Sequence, residues 1–131
     1  MMQDQLPANC IPVLRIPAMP KDVNTGGSIF GGWVMSYVDI AGSIPAELRA
    51  CGRIVTRAVQ AFEFKKPVYV GDLVSFYASV VKEGRTSVTV QVDVYAQRIK
   101  QGIVETVLVT DAILIYVAID EKGTPRSLPP L

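Results

Sequence analysis

From Gly31 to Ala50 the chain carries Trp33, Val34, Met35, Val38, Ile40, Ala41, Ile44 and Leu48, which spread apolar groups around almost the whole circumference of a helix. A helix that is apolar all round is a buried one, so the fold has to enclose this segment. Arg49 suits its C-terminal end and Gly52 its stop. Pro45 lacks the N–H that would bond the Ala41 carbonyl and predicts a kink or a break. No second stretch reads as helix. Ahead of it, residues 13–16 lie between Pro12 and Pro17 as a short strand, and a polar loop with two glycines follows over 21–28. Beyond Gly52 the pattern has period 2, most clearly where Val88, Val90, Val92 and Val94 alternate with Thr89, Gln91, Asp93 and Tyr95. Strands are expected over 54–64, 73–82, 86–100 and 104–119, broken at 67–72, 83–85 and 101–102. Short turns make such neighbours an antiparallel meander. Without a second helix there is no βαβ crossover, so the expected class is α+β, one long helix wrapped by one antiparallel sheet.

A chain of 131 residues, half of them hydrophobic, closes one core and is too short for two ordinary domains. That domain is expected over 11–120, with polar and Pro-rich tails at 1–10 and 121–131 outside the core. Lys and Arg number 13 against 12 Asp and Glu, a formal net charge of +1 with no like-charge block, which argues against a nucleic-acid partner. The first ten residues lack the basic start and apolar run of a secretory signal. The longest strongly apolar stretch, 113–119, is far below the ~20 residues that span a bilayer. A cytoplasmic protein with no membrane partner is expected. Cys10 and Cys51 stand in no metal-ligand spacing and read as free thiols, and no metal is expected. The chain contains no histidine, which removes Ser-His-Asp and Cys-His hydrolysis, His-ligated metals and His-Asp dehydration. Acid–base chemistry would have to use Asp, Glu, Lys, Tyr or Cys.

Asp39 interrupts the most apolar helix in the chain. Burying a lone carboxylate is costly unless partners satisfy it. Its helical neighbours include Gly32, Ser36, Gly42 and Ser43, small residues that leave a crease for water and a ligand. Two readings stand side by side: a catalytic acid, or an aspartate bonded to a nearby hydroxyl or amide that holds the helix in place. The glycine-rich segment 24–32 feeds the helix start but is no phosphate loop, because Trp33 and Val34 follow Gly32 where Lys and Ser or Thr would be needed. The first amides of a helix lack intrahelical acceptors, and Gly31 and Gly32 would let a carbonyl approach them as an oxyanion site. Equally, those glycines could serve close packing on the sheet. Asn24 fits a plain turn-former.

At Asp22-Val23-Asn24, Ile29-Phe30-Gly31-Gly32-Trp33-Val34-Met35 and Asp39 the chain resembles the bacterial short- to medium-chain acyl-CoA thioesterases related to brain acyl-CoA hydrolase. The likeness continues through Val55-Thr56, Phe64, Pro67-Val68, Val70-Gly71-Asp72, Gly84, Thr86-Ser87 and Tyr116-Val117-Ala118, from Ile11 to Pro129. The resemblance implies a hotdog fold and a homodimer with its active site at the subunit interface, commonly assembled as a trimer of dimers. It maps the family's helix aspartate onto Asp39 and its loop asparagine onto Asn24, contributed by opposite subunits. Asp39 would serve as general base on water, or as a nucleophile through an anhydride. Gly31 or Gly32 would hold the oxyanion. Thr56, Arg57, Arg85 and Ser87 would contact the pantetheine and phosphates of coenzyme A, which enters with the substrate, so no separate cofactor is implied. Val23, Ser28, Pro45, Arg57 and Gln60 depart from the family pattern and bear on substrate preference. The competing class is a non-catalytic acyl-CoA binding or sensing module on the same fold.

Overall fold

The computed structural model describes residues 4–131. Strand β1 (Leu14–Pro17) leads through a 3-10 turn at Pro20–Asp22 to helix α1 (Gly31–Ala50). Strands β2 (Ile54–Phe64), β3 (Leu73–Glu83), β4 (Ser87–Lys100) and β5 (Ile103–Ala118) follow. They form one sheet in the order β1-β3-β4-β5-β2, antiparallel at every pairing. The expected α+β class, one helix against one antiparallel sheet, is what the chain builds.

The meander is a different matter. It holds for β3, β4 and β5, but β2 pairs with β5 at the far edge and not with β3. The reason lies in residues 65–72, which carry the chain from the β2 edge across to β3, next to β1 at the opposite side of the sheet. The Ile29 amide donates to the Val68 carbonyl on the way (2.8 Å), and the Gly71 amide donates to Ala18 O (2.9 Å). Gly71 has φ +89°, a conformation that glycine alone adopts freely. Asp72, only 1 % exposed, ends the crossing; it accepts from the Tyr69 amide and pairs bidentately with Arg98 at 2.9 and 3.1 Å.

The core lies between α1 and the concave face of the sheet. Val88, Val90, Val92 and Val94 of β4 are fully buried, as their period-2 spacing predicts, and they meet Phe76 of β3, Leu114 and Tyr116 of β5, and Val34, Val38, Ala41 and Ala46 of the helix.

Contrary to expectation, α1 is not buried all round. Met35 and Ile40 are 47 % and 48 % exposed, and Leu48 more so, because a single sheet covers only one side of a cylinder. β2 is exposed along most of its length as well. The helix also runs unbroken through Pro45, since the packing of its inner face outweighs one missing backbone bond.

It ends on Cys51 in the left-handed region (φ +53°), not on Gly52. Gly52 instead leaves room for Arg126, whose Nη2 donates to Ala50 O (2.9 Å) and whose Nε donates to Ile119 O (3.0 Å). Arg49 Nη1 donates to Pro129 O and the Leu128 amide to Arg85 O, while Leu128 packs against the core. The C-terminal segment, expected outside the core, is thus fastened across the helix end. The expected N-terminal tail lies partly outside the described residues; within them, Asp4 Oδ2 accepts from the Leu108 amide (2.7 Å). Cys10 and Cys51 are free and exposed. Among the described residues no helix is long and apolar enough to cross a membrane.

Candidate active site

Asp39 sits where the packed side of α1 gives way to its exposed side, and it is half-buried. The register of the sheet pairs Thr56 of β2 with Tyr116 of β5, which sets two hydroxyls next to each other under the helix. Both reach Asp39. Thr56 Oγ1 donates to Oδ1 at 2.7 Å, while the Tyr116 hydroxyl lies 3.1 Å from Oδ1 and 2.8 Å from the Asp39 backbone carbonyl. Around them is a cavity of about 190 Å³ lined by Asp39, Ile40, Ser43, Glu47, Ile54, Thr56 and Tyr116. Burial, and then the Asp39 charge and its hydrogen bond, push the Tyr116 phenol far above its usual range. It therefore stays protonated and acts as a donor.

Of the small residues expected around Asp39, Ser43 lines the cavity, with its hydroxyl donated to Ile40 O (2.6 Å). Ser36 is exposed and donates to Trp33 O. Gly42 does not open a crease for a ligand: a Cβ there would overlap the Tyr116 hydroxyl, so the missing side chain is the space this phenol fills. Sequence reasoning missed both Tyr116 and Glu47, because an aromatic in a strand and an acid on an exposed helical turn carry no local signal of a site.

Asn24 lies elsewhere. Its Oδ1 accepts from the amides of Gly26 (2.8 Å) and Ser28 (3.3 Å), and its Nδ2 donates to Ser28 Oγ, which closes the loop before α1. With Gly31, Phe64, Lys65 and Lys66 it lines a second cavity, of about 380 Å³. A Cβ at Gly31 would come within 3.2 Å of the Phe64 ring, whereas one at Gly32 would meet open space. Gly32 stands seven residues before Asp39, roughly 10 Å along the helix axis. Within one chain, one carbonyl cannot touch both.

The four residues expected to contact coenzyme A are also dispersed. Thr56 is spent on Asp39. Arg57 is exposed at the bulge where β2 slips against β5. Arg85 is exposed in the β3–β4 turn, and half-buried Ser87 lies beside Gly84 in the same turn. Ser87 pairs with Val117, which pairs with Val55, so this turn and the start of β2 share one end of the sheet.

Residues 26–103 match the thioesterase superfamily. The acyl-CoA thioester hydrolase YciA of Salmonella typhimurium is 47 % identical over 89 % of this chain and 89 % of its own. Among solved structures, Cj0915, a hexameric hotdog-fold thioesterase of Campylobacter jejuni, superposes with a TM-score of 0.87 at 42 % identity over 90 % of each chain. HI0827, a hexameric broad-specificity acyl-coenzyme A thioesterase, gives 0.86 at 41 % identity over 95 % of this chain and 85 % of that one. With a sheet curled around one long helix and this degree of likeness along nearly its whole length, the chain belongs to the thioesterase superfamily and has the hotdog fold.

Proposed function

We propose that this chain hydrolyses acyl-CoA thioesters to a free acid and coenzyme A, with Asp39 as the general base. The observation that carries the assignment of the base is the polarity of its carboxylate. Thr56 and Tyr116 both address Oδ1, and Oδ2 accepts no bond from the described residues. A carboxylate held by one oxygen and free at the other can take a proton from water in the adjoining cavity. The water oxygen then bonds to the thioester carbon, the C–S bond breaks, and the departing thiolate takes up a proton.

The second half-site supplies the rest. Backbone amides of Gly31 or Gly32 at the positive end of α1 suit the developing oxyanion, and Asn24 orients the carbonyl or the water. Since the halves of one chain lie too far apart, they complete each other between two copies. Each copy offers the exposed face of α1, with Met35 and Ile40, and the long edge strand β2, with Val55, Val59 and Phe64 exposed. A strand edge and an apolar face left open together favour pairing with a second chain. A dimer with two composite sites is the minimum unit of this reading, and a trimer of dimers agrees with the hexameric relatives. Arg57, Arg85 and Ser87 remain candidate coenzyme A contacts on the same end of the sheet, and the cytoplasm is the proposed location.

The test is thiol release across a panel of acyl-CoA esters, wild type beside Asp39→Asn. The variant should lose about 10²- to 10⁴-fold in kcat, the usual contribution of a general base. Turnover near wild type in folded Asp39→Asn would overturn the assignment.

A further inference from the structure

We infer that Tyr116 is a positioning residue for the reaction: its hydroxyl, seated over Gly42, holds the Asp39 carboxylate with Oδ2 turned to the cavity. This rests on Asp39 being the base.

The bland alternative is a buried phenol that only needs an acceptor and finds the Asp39 carbonyl. The helix argues against it. In regular α-helix the Asp39 carbonyl already receives the Ser43 amide, so the backbone does not call for a phenol there. The phenol has one proton and two acceptors in reach, the carbonyl at 2.8 Å and Oδ1 at 3.1 Å, and only the second responds to the charge of the carboxylate.

The surroundings fit a device built for this contact. Tyr116 is fully buried on β5, which is paired on both sides by β4 and β2, so its hydroxyl has little freedom. Thr56, the other donor, stands on the edge strand at the slip in register between Thr56 and Ala58, where its hydroxyl is less firmly held. Gly42 lies inside a helix, where glycine costs ~0.5–1 kcal/mol relative to alanine. That cost is met at the one place where a Cβ would displace the phenol.

The consequence is for turnover and not for binding. Without this donor the carboxylate is held by Thr56 alone and Oδ2 is no longer fixed toward the water it deprotonates, so kcat falls while KM stays.

The experiment measures kcat, KM and thermal stability for wild type, Tyr116→Phe, Gly42→Ala and the double variant Gly42→Ala/Tyr116→Phe, each first shown to melt cooperatively, with Asp39→Asn alongside. In Tyr116→Phe kcat should fall about tenfold with KM within twofold. Gly42→Ala should lower kcat in the same way and also lower the melting temperature, because its Cβ overlaps the hydroxyl. The double variant should recover part of that stability, since removing the hydroxyl lifts the overlap and leaves the methyl 3.2 Å from the ring, yet keep the low kcat. A merely structural role would restore kcat along with stability. Unchanged kcat in whichever of these variants folds, with Asp39→Asn inactive, overturns the role of Tyr116. An active Asp39→Asn overturns the general-base reading itself.

Discussion

Gly31 and Gly32 are adjacent at the start of α1 and answer to different constraints. Gly31 admits the Phe64 ring, whereas Gly32 faces open space and has no packing reason to lack a side chain. Gly32→Ala should therefore stabilise the fold by about 0.5–1 kcal/mol, seen as a rise of a few degrees in Tm, while lowering kcat at least tenfold as the methyl shields its amide. A more stable variant with unchanged kcat would remove that amide from the oxyanion role. Asp39 itself was legible in the sequence, as a charge in an apolar helix, and so were the two glycines. Tyr116 was not. Its partnership with Asp39 joins residues 77 positions apart through a strand register that no local pattern announces. Thr56 was noticed as a coenzyme A contact and not as a partner of Asp39, since a hydroxyl on a strand says nothing of which carboxylate lies across from it. Burial alone would also have misled: the most enclosed acid of the described residues is Asp72, and its oxygens are taken up by Arg98 and the Tyr69 amide.

Elements were readable in kind and nearly in extent. The expected strand over 73–82 ends one residue later in the structure, and that over 86–100 starts one residue later. What could not be read was the place of β2, because its pairing with β5 is long-range and depends on a crossing that resembles an ordinary turn. That crossing is anchored by the Asp72–Arg98 pair, with Arg98 also lying 5.0 Å over the Tyr69 ring. Asp72→Ala leaves a largely buried guanidinium with only the more exposed Glu105 as counter-charge and the Tyr69 amide without its acceptor, and should cost about 3 kcal/mol, measured by denaturant unfolding. Arg126→Ala, which removes a cap from the last turn of α1, should cost only about 1 kcal/mol by the same measurement and leave kcat unchanged.

At the level of the whole molecule, the proposed composite site ties activity to association. Val59→Lys places a charge on the exposed face of β2, where Val59 is 51 % exposed, and should cost a single chain little. It should nevertheless lower both the mass seen by light scattering and the specific activity, with activity rising as protein concentration is raised. Full turnover by a strictly monomeric protein would refute the composite site. The strand order has a further consequence, for synthesis. β2 leaves the ribosome early, yet its neighbour in the sheet is β5, and Ile54 meets Ala118 only when nearly the whole chain has been translated. Until then a long strand with apolar side chains waits without a ladder, the kind of nascent segment that chaperones shield. Codon choice or slowed elongation across residues 65–102 should therefore affect the yield of soluble protein more than the stability of what folds.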